Sequence, residues 1–190
     1  MIGVAIPSIP PRAAMLVRAL ASVASQHHPP AAISVALDLR HEGAAATRNR
    51  AWRALDTDWV AFLDDDDEFN PEHLGLLLDC AARTDADLVY PWFEVIGGTD
   101  PFPEHFGRDW DPAEPRQTTI TCLWRRTALE KVDGFAEVPD LVDEQGNRIG
   151  EDFDAVKRLN AMGGRIVHLP ERTWRWHHHL TNTSGRPERW

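Results

Sequence analysis

Val60-Ala61-Phe62-Leu63-Asp64-Asp65-Asp66-Asp67-Glu68-Phe69 sets four apolar residues directly against five consecutive acids. An apolar run of this length, bearing β-branched and aromatic side chains, reads as a buried strand. The acids then stand at its carboxyl end, where ligands bind in open α/β sheets. Five adjacent carboxylates repel one another, and no basic residue lies close in sequence to neutralise them. Oxygen ligands of this kind suit a hard divalent cation. Charge runs are more often solvated turns, so the stretch carries both readings. A calcium loop fails on position: counted from Asp64, Phe69 stands where the sharp-turn Gly belongs and Gly75 where the bidentate Glu belongs. An Asp-x-Asp site, Asp64 to Asp66, is left to weigh against the solvated turn.

The bulk properties narrow the class. A chain of 190 residues, 43% hydrophobic and 26% charged, is a single globular domain with room for a real core. The start, Met1-Ile2-Gly3-Val4-Ala5-Ile6, is too short and uncharged for a signal peptide and is closed by Pro7. No apolar run approaches membrane-spanning length. Cys80 and Cys122 lie far apart without CxxC spacing, which predicts free thiols and a cytoplasmic location. A net charge of −10 disfavours a broad nucleic-acid-binding surface.

In chain order, residues 2–6 form a short apolar strand and residues 12–26 an amphipathic helix with Met15, Leu16, Ala19, Leu20 and Val23 on one face. Residues 33–37 form a second strand ending at Asp38, residues 43–55 a helix, and residues 59–63 a third strand. Strand, helix, strand, helix, strand with short connections predicts a parallel, Rossmann-like first half. No GxGxxG follows the first strand, so the dinucleotide fingerprint is absent. After the acids, Asn70-Pro71-Glu72 opens another helix. Strands are expected at 87–93, 118–124 and 165–169, and helices at 125–132 and 151–162. Residues 97–116 and 139–150 read as loops, the first long enough to be functional.

This order of motifs resembles the inverting glycosyltransferases of family 2 with a GT-A fold. Ile6-Pro7-Ser8 is similar to the end of that family's first strand, and Ser22-Val23-Ala24-Ser25-Gln26 to its Ser-x-x-x-Gln helix end. Ala46-Thr47-Arg48-Asn49 resembles its Ala-Arg-Asn helix, and Asp64-Asp65-Asp66 its Asp-x-Asp signature. Gly134-Phe135 resembles its Gly-Gly-Phe turn, with Asp133 in the first Gly position. Gly150-Glu151-Asp152 is similar to its Glu-Asp motif, and Arg175-Trp176-His177 with Asn182-Thr183-Ser184 to its C-terminal region. The resemblance spans nearly the whole chain, but the stretch 38–46 is shorter than usual.

The resemblance implies an α/β, GT-A-type domain with a mostly parallel sheet, a donor half at about residues 1–95 and an acceptor and base half at about 96–190. It implies a nucleotide-sugar donor, most often a UDP-sugar, bound by Pro7, Ser8, Ile9, Asp38, Arg48, Asp64 and Asp65. Trp124 would stack on sugar or acceptor, as would Trp92 or Trp174, although core packing explains each as well. Asp66 and then Asp64 would hold Mn2+ or Mg2+. If the tail is extended, His177 and His179 share a face and His178 points away, so His177 or His179 would add a ligand or touch the diphosphate. Asp152, beside Glu151 at a helix start, would be the general base. The bland reading of Glu151 and Asp152 is first-turn acids favoured by the helix dipole, and that of Ser8 and Arg48 is capping and a surface ion pair.

Two other classes stay in view. A nucleotidyltransferase or nucleotide-sugar pyrophosphorylase also pairs such a half with Asp-bound magnesium, but it would want a Gly-rich basic loop after the first strand, and residues 7–12 hold no Gly. A non-catalytic nucleotide-binding module is the third. The acceptor is open among a protein side chain, a glycan, a small molecule and a modified nucleobase.

Overall fold

Strand β1 (Ile2–Ser8) leads through helix α1 (Ala13–Ala24) to β2 (Ala32–Leu37), and helix α2 (Ala44–Arg53) leads on to β3 (Trp59–Phe62). Both β2 and β3 pair with β1 in parallel, the arrangement that helical crossovers require. In this computed structural model, residues 1–112, 118–138, 141–142, 146 and 149–179 are described. The chain continues through β4 (Glu68–Phe69), α3 (His73–Thr84), β5 (Leu88–Ile96), β6 (Leu123–Arg125), α4 (Arg126–Lys131), α5 (Glu151–Ala161) and β7 (Ile166–His177).

The seven strands lie in the order β2-β1-β3-β6-β5-β7-β4. This is a mixed α/β sheet. β6 enters between β3 and β5 antiparallel to both, while β5 and β7 run parallel. Strand β3 feeds both faces of the sheet. Ala61 joins the core under α1 and α3, with Val23, Leu74 and Leu77. Val60 and Phe62 join the core under α2, α4 and α5, with Trp52, Leu129 and Val156. Burial on both faces is why this strand reads as an unbroken apolar run. Strand β2, in contrast, is an edge. Its Ile33, Val35 and Leu37 stay exposed.

Several strands depart from expectation: β6 covers only Leu123–Arg125 rather than 118–124, and β5 runs to Ile96 rather than 93; two further departures bear on the site. Pro170 ends the expected strand at 169, yet β7 runs on to His177. The register passes from Tyr90↔His168 to Trp92↔Arg172 through an irregularity, which leaves Leu169, Pro170 and Glu171 facing Pro91. A bulge is where a sheet tolerates proline. Glu68 and Phe69 leave the acidic run and pair with Arg175 and Trp174 as a two-residue strand. Together these draw residues 177–179 past the tip of β3. Cys80 and Cys122 are buried free thiols. Among the described residues, no helix is long and apolar enough to cross a membrane.

Candidate active site

Because β1 and β3 are parallel neighbours, Ser8 and Asp64 leave the sheet at the same rim. The acids fold into a turn there, with the Asp67 N–H donating to the Asp64 carbonyl at 3.2 Å. Each carboxylate then has its own surroundings. Asp65 is 2% exposed. It accepts the Ser8 hydroxyl at 2.7 Å, the Ile9 N–H at 3.3 Å and Arg12 Nη1 at 3.0 Å. It thus pins the segment after β1, and the Ser8 hydroxyl is engaged on it.

Asp66 Oδ2 meets Arg12 Nη1 at 2.9 Å and His179 Nε2 at 3.1 Å, while its carbonyl accepts from Arg18 at 2.6 Å. Asp67 is buried and accepts the His177 N–H at 2.9 Å. Burial, then the neighbouring Asp66 and Asp64, holds the Asp67 carboxyl well above the usual carboxylate range. Burial and Asp64 push Asp66 the same way, against the pull of Arg12. Asp64, Asp66 and Asp67 each present an oxygen, all within 4.8 Å of one another. Three crowded hard-oxygen ligands fit a divalent cation, whose charge would relieve the crowding.

The rings of His177 and His179, expected to share a face, have different partners. His179 reaches Asp66, whereas His177 Nε2 lies 2.6 Å from Glu68, and His178 turns edge-on to Trp176. Asn182, Thr183 and Ser184 lie outside the described residues. The expectation that nothing basic neutralises the acids holds only along the sequence. In space, Arg12, Arg18 and Arg48 converge on them. Arg12 and Arg18 were legible only as a loop end and a helix face; β1–β3 pairing brings them in.

Arg48 lies on α2 and is 8% exposed. Its Nη2 donates to Asp64 at 2.8 Å, and its Nη1 pairs with Glu151, the first residue of α5. The arginine therefore joins the acidic tip to the start of α5. Asp152 follows Glu151. Its Oδ1 accepts the Phe153 N–H at 2.8 Å. Burial first, then Glu151, pushes its carboxyl up to about 6, against Arg48 and the Phe153 N–H.

Asp38 faces its own loop. It accepts the backbone N–H groups of Glu42 and Gly43, both at 2.9 Å, and of Arg40 at 3.3 Å, which hold its carboxyl below the usual range and shape the turn into α2. Pro7 is buried within β1, and Ile9 is partly exposed beyond it. Trp124 is 1% exposed, packed in the core under α4 and α5, so it presents no face to a ligand. Trp92 and Trp174 are core residues of the opposite face.

Asn49, unassigned by the sequence reading, clamps α2 to the turn at Gly134. Its Oδ1 accepts from the Phe135 N–H and from Trp52 Nε1, both at 3.0 Å, and its Nδ2 donates to the Phe135 carbonyl at 2.8 Å. Gly134 sits at φ +65°, and a Cβ there would lie 2.4 Å from Asn49 Oδ1. Asp133, in the place of a glycine, takes φ +56°, a region that Asp enters more readily than most residues.

A family model described as Glycosyl transferase family 2 matches residues 32–136, more than half of the chain. The chain belongs to glycosyl transferase family 2. The succinoglycan biosynthesis protein ExoW of Rhizobium meliloti (strain 1021) is 46% identical over 89 residues, which are 46% of this chain and 24% of ExoW. Among solved structures, S. aureus TarS in complex with UDP-GlcNAc superposes with a TM-score of 0.78 at 16% identity, over 95% of this chain and 59% of that one. TarS in complex with UDP gives 0.73 at 18% identity, over 93% and 60%. The chain thus spans about a quarter of ExoW's length and three-fifths of the TarS fragment's. The likeness to TarS establishes the GT-A glycosyltransferase fold.

Proposed function

We propose that this family 2 domain transfers a sugar from a nucleotide-sugar donor to a hydroxyl acceptor with inversion, with Asp152 as general base and a divalent cation on Asp64, Asp66 and Asp67. The observation that carries this reading is Arg48, whose guanidinium links Asp64 to the neighbour of Asp152. One side chain thereby couples the acidic tip to the start of α5. UDP is the favoured nucleotide, since the TarS structures hold UDP and UDP-GlcNAc. Residues 1–95 bind the donor. Asp65 fixes Ser8 and Ile9 at the pocket wall, and Asp38 and Pro7 shape the side where the base sits. Buried free thiols fit a reducing, cytoplasmic setting.

The acceptor hydroxyl gives its proton to Asp152 as its oxygen attacks the anomeric carbon. The Phe153 N–H holds Oδ1, and Oδ2 takes the proton. A carboxylate pushed up to about 6 is still mostly ionised at pH 7 and a stronger base than an ordinary aspartate. Mn2+ or Mg2+ on the acidic triad would supply the positive charge that stabilises the departing diphosphate. A single base on the face opposite the leaving group gives inversion, as in inverting hydrolases.

The test is a thermal melt with UDP, GDP, dTDP and CDP, each with and without Mn2+. A nucleotide at a hundred times its Kd stabilises by about 2.7 kcal/mol, which is about 5–10 °C for a chain of this size. One nucleotide should give a shift that needs Mn2+, and Asp66→Ala should abolish the Mn2+-dependent part. A shift indifferent to Mn2+ removes the cation from the reading; no shift with any nucleotide removes the donor.

Gly150 provides a second test. A Cβ there would stand 2.4 Å from Asp152 Oδ1, although φ −76° and ψ 154° accept any residue. Gly150→Ala should therefore displace the base without unfolding the helix start. The expected result is a kcat lower by about 10–100-fold with a nearly unchanged melting temperature. An unchanged kcat would mean that the carboxylate position does not matter.

A further inference from the structure

Arg12 stands where the cation reading needs explaining. It ends the short 3-10 turn Pro10–Arg12 between β1 and α1, and its side chain is 19% exposed. Its Nη1 lies 3.0 Å from Asp65 Oδ1 and 2.9 Å from Asp66 Oδ2. The two carboxylates are not equivalent. Asp65 has two further donors, the Ser8 hydroxyl and the Ile9 N–H, and lies outside the acidic triad. Asp66 is one of the three residues whose oxygens crowd within 4.8 Å. A single guanidinium nitrogen thus rests on a structural acid and on a candidate cation ligand at once.

A guanidinium cannot shed its proton in a protein. A divalent ion held by Asp66 would share that carboxylate with a fixed positive charge, and the two would repel each other. The conflict is relieved only if the side chain swings away. A diphosphate is the partner that the planar fork of arginine matches best, and Arg12 opens from the segment after β1, beside the acids. Asp65 keeps the backbone in place through Ser8 and Ile9 while the side chain moves.

We propose that Arg12 is an internal counter-cation, which screens Asp66 from a free divalent ion and releases it when a diphosphate draws the guanidinium away. The inference rests on the cation reading of Asp64, Asp66 and Asp67. Its consequence is ordered loading: the ion alone binds weakly, and ion and nucleotide bind together. By linkage, UDP tightens Mn2+ by the same factor as Mn2+ tightens UDP.

The experiment is a titration of Mn2+, followed by the electron-paramagnetic-resonance signal of the free ion, on wild type, Arg12→Gln and Arg12→Lys, each with and without UDP. Without UDP, Arg12→Gln should bind Mn2+ about tenfold more tightly than wild type, a change of about 1.4 kcal/mol. UDP should tighten Mn2+ about tenfold in wild type and clearly less in Arg12→Gln. Arg12→Lys keeps the charge and should stay near wild type. Wild-type or weaker Mn2+ affinity in folded Arg12→Gln overturns the proposal. If that variant does not fold, wild type decides, since absence of coupling between UDP and Mn2+ also overturns it. Failure of every protein to bind Mn2+ even with UDP would show that the triad is no cation site, and both readings fall.

Discussion

Asp152→Asn is expected to lower turnover by about 10²–10⁴-fold, the range that a positioned general base contributes, while Mn2+-dependent nucleotide binding stays intact. The substitution is nearly isosteric, and the amide oxygen can still accept the Phe153 N–H that now donates to Oδ1. What it removes is the lone pair that receives the acceptor proton. The pH profile of the wild type supplies the matching sign. Burial and Glu151 push the Asp152 carboxyl up to about 6. Below that pH the group is protonated and cannot act as a base, so kcat/KM should fall about tenfold per unit on the acid side and level off above it. Asp152→Asn should erase that limb along with the rate. Release of UDP from the donor that passes the melt assay gives both readouts. Residual turnover within tenfold of wild type at pH 7 would take Asp152 out of the base role.

How much of this was legible in the sequence depends on the range of the interaction. The strand–helix alternation of the first half was readable, because side-chain period and helix ends are local properties. The four-residue apolar run before Asp64 was readable because β3 is covered on both faces. The neutralisation of the acids was not. Arg12 lies 53 residues from Asp65, and Arg48 lies 103 residues from Glu151. Only the β1–β3 pairing and the packing of α2 beside α5 close those distances. The run of β7 beyond 169 was not legible, since proline opposes a ladder and only the partner strand reveals the irregularity that accommodates Pro170. The division of labour between His177 and His179 follows from the same extension, since β4 pairs with β7 and sets Glu68 beneath His177. Trp124 belongs to the same lesson: the sequence leaves stacking on a ligand and core packing both open, and insertion of β6 between β3 and β5 decides for the core.

Arg48→Met is the second large effect, and it separates two roles that the sequence reading could not. Methionine keeps most of the length and loses the charge, leaving Asp64 and Glu151 without the cation they share. Breaking a fully buried pair costs roughly 3–5 kcal/mol. Both carboxylates are about a quarter exposed, so solvent screens part of that, and about 2 kcal/mol is the expectation. This corresponds to a melting temperature lower by about 4–8 °C. Arg48 also holds the Asp152 carboxyl down. Its loss therefore raises that group further, and the acid limb of kcat/KM moves to higher pH. Unchanged stability would make the two ion pairs solvent contacts. A limb that stays in place or moves to lower pH would uncouple Arg48 from the base. Nucleotide affinity in the same variant then separates brace from donor contact. If Arg48 acts only by joining the acidic tip to α5, UDP with Mn2+ should bind within about threefold of wild type, whereas loss of a charge-assisted bond to the donor would weaken it by tenfold or more, about 1.5–3 kcal/mol.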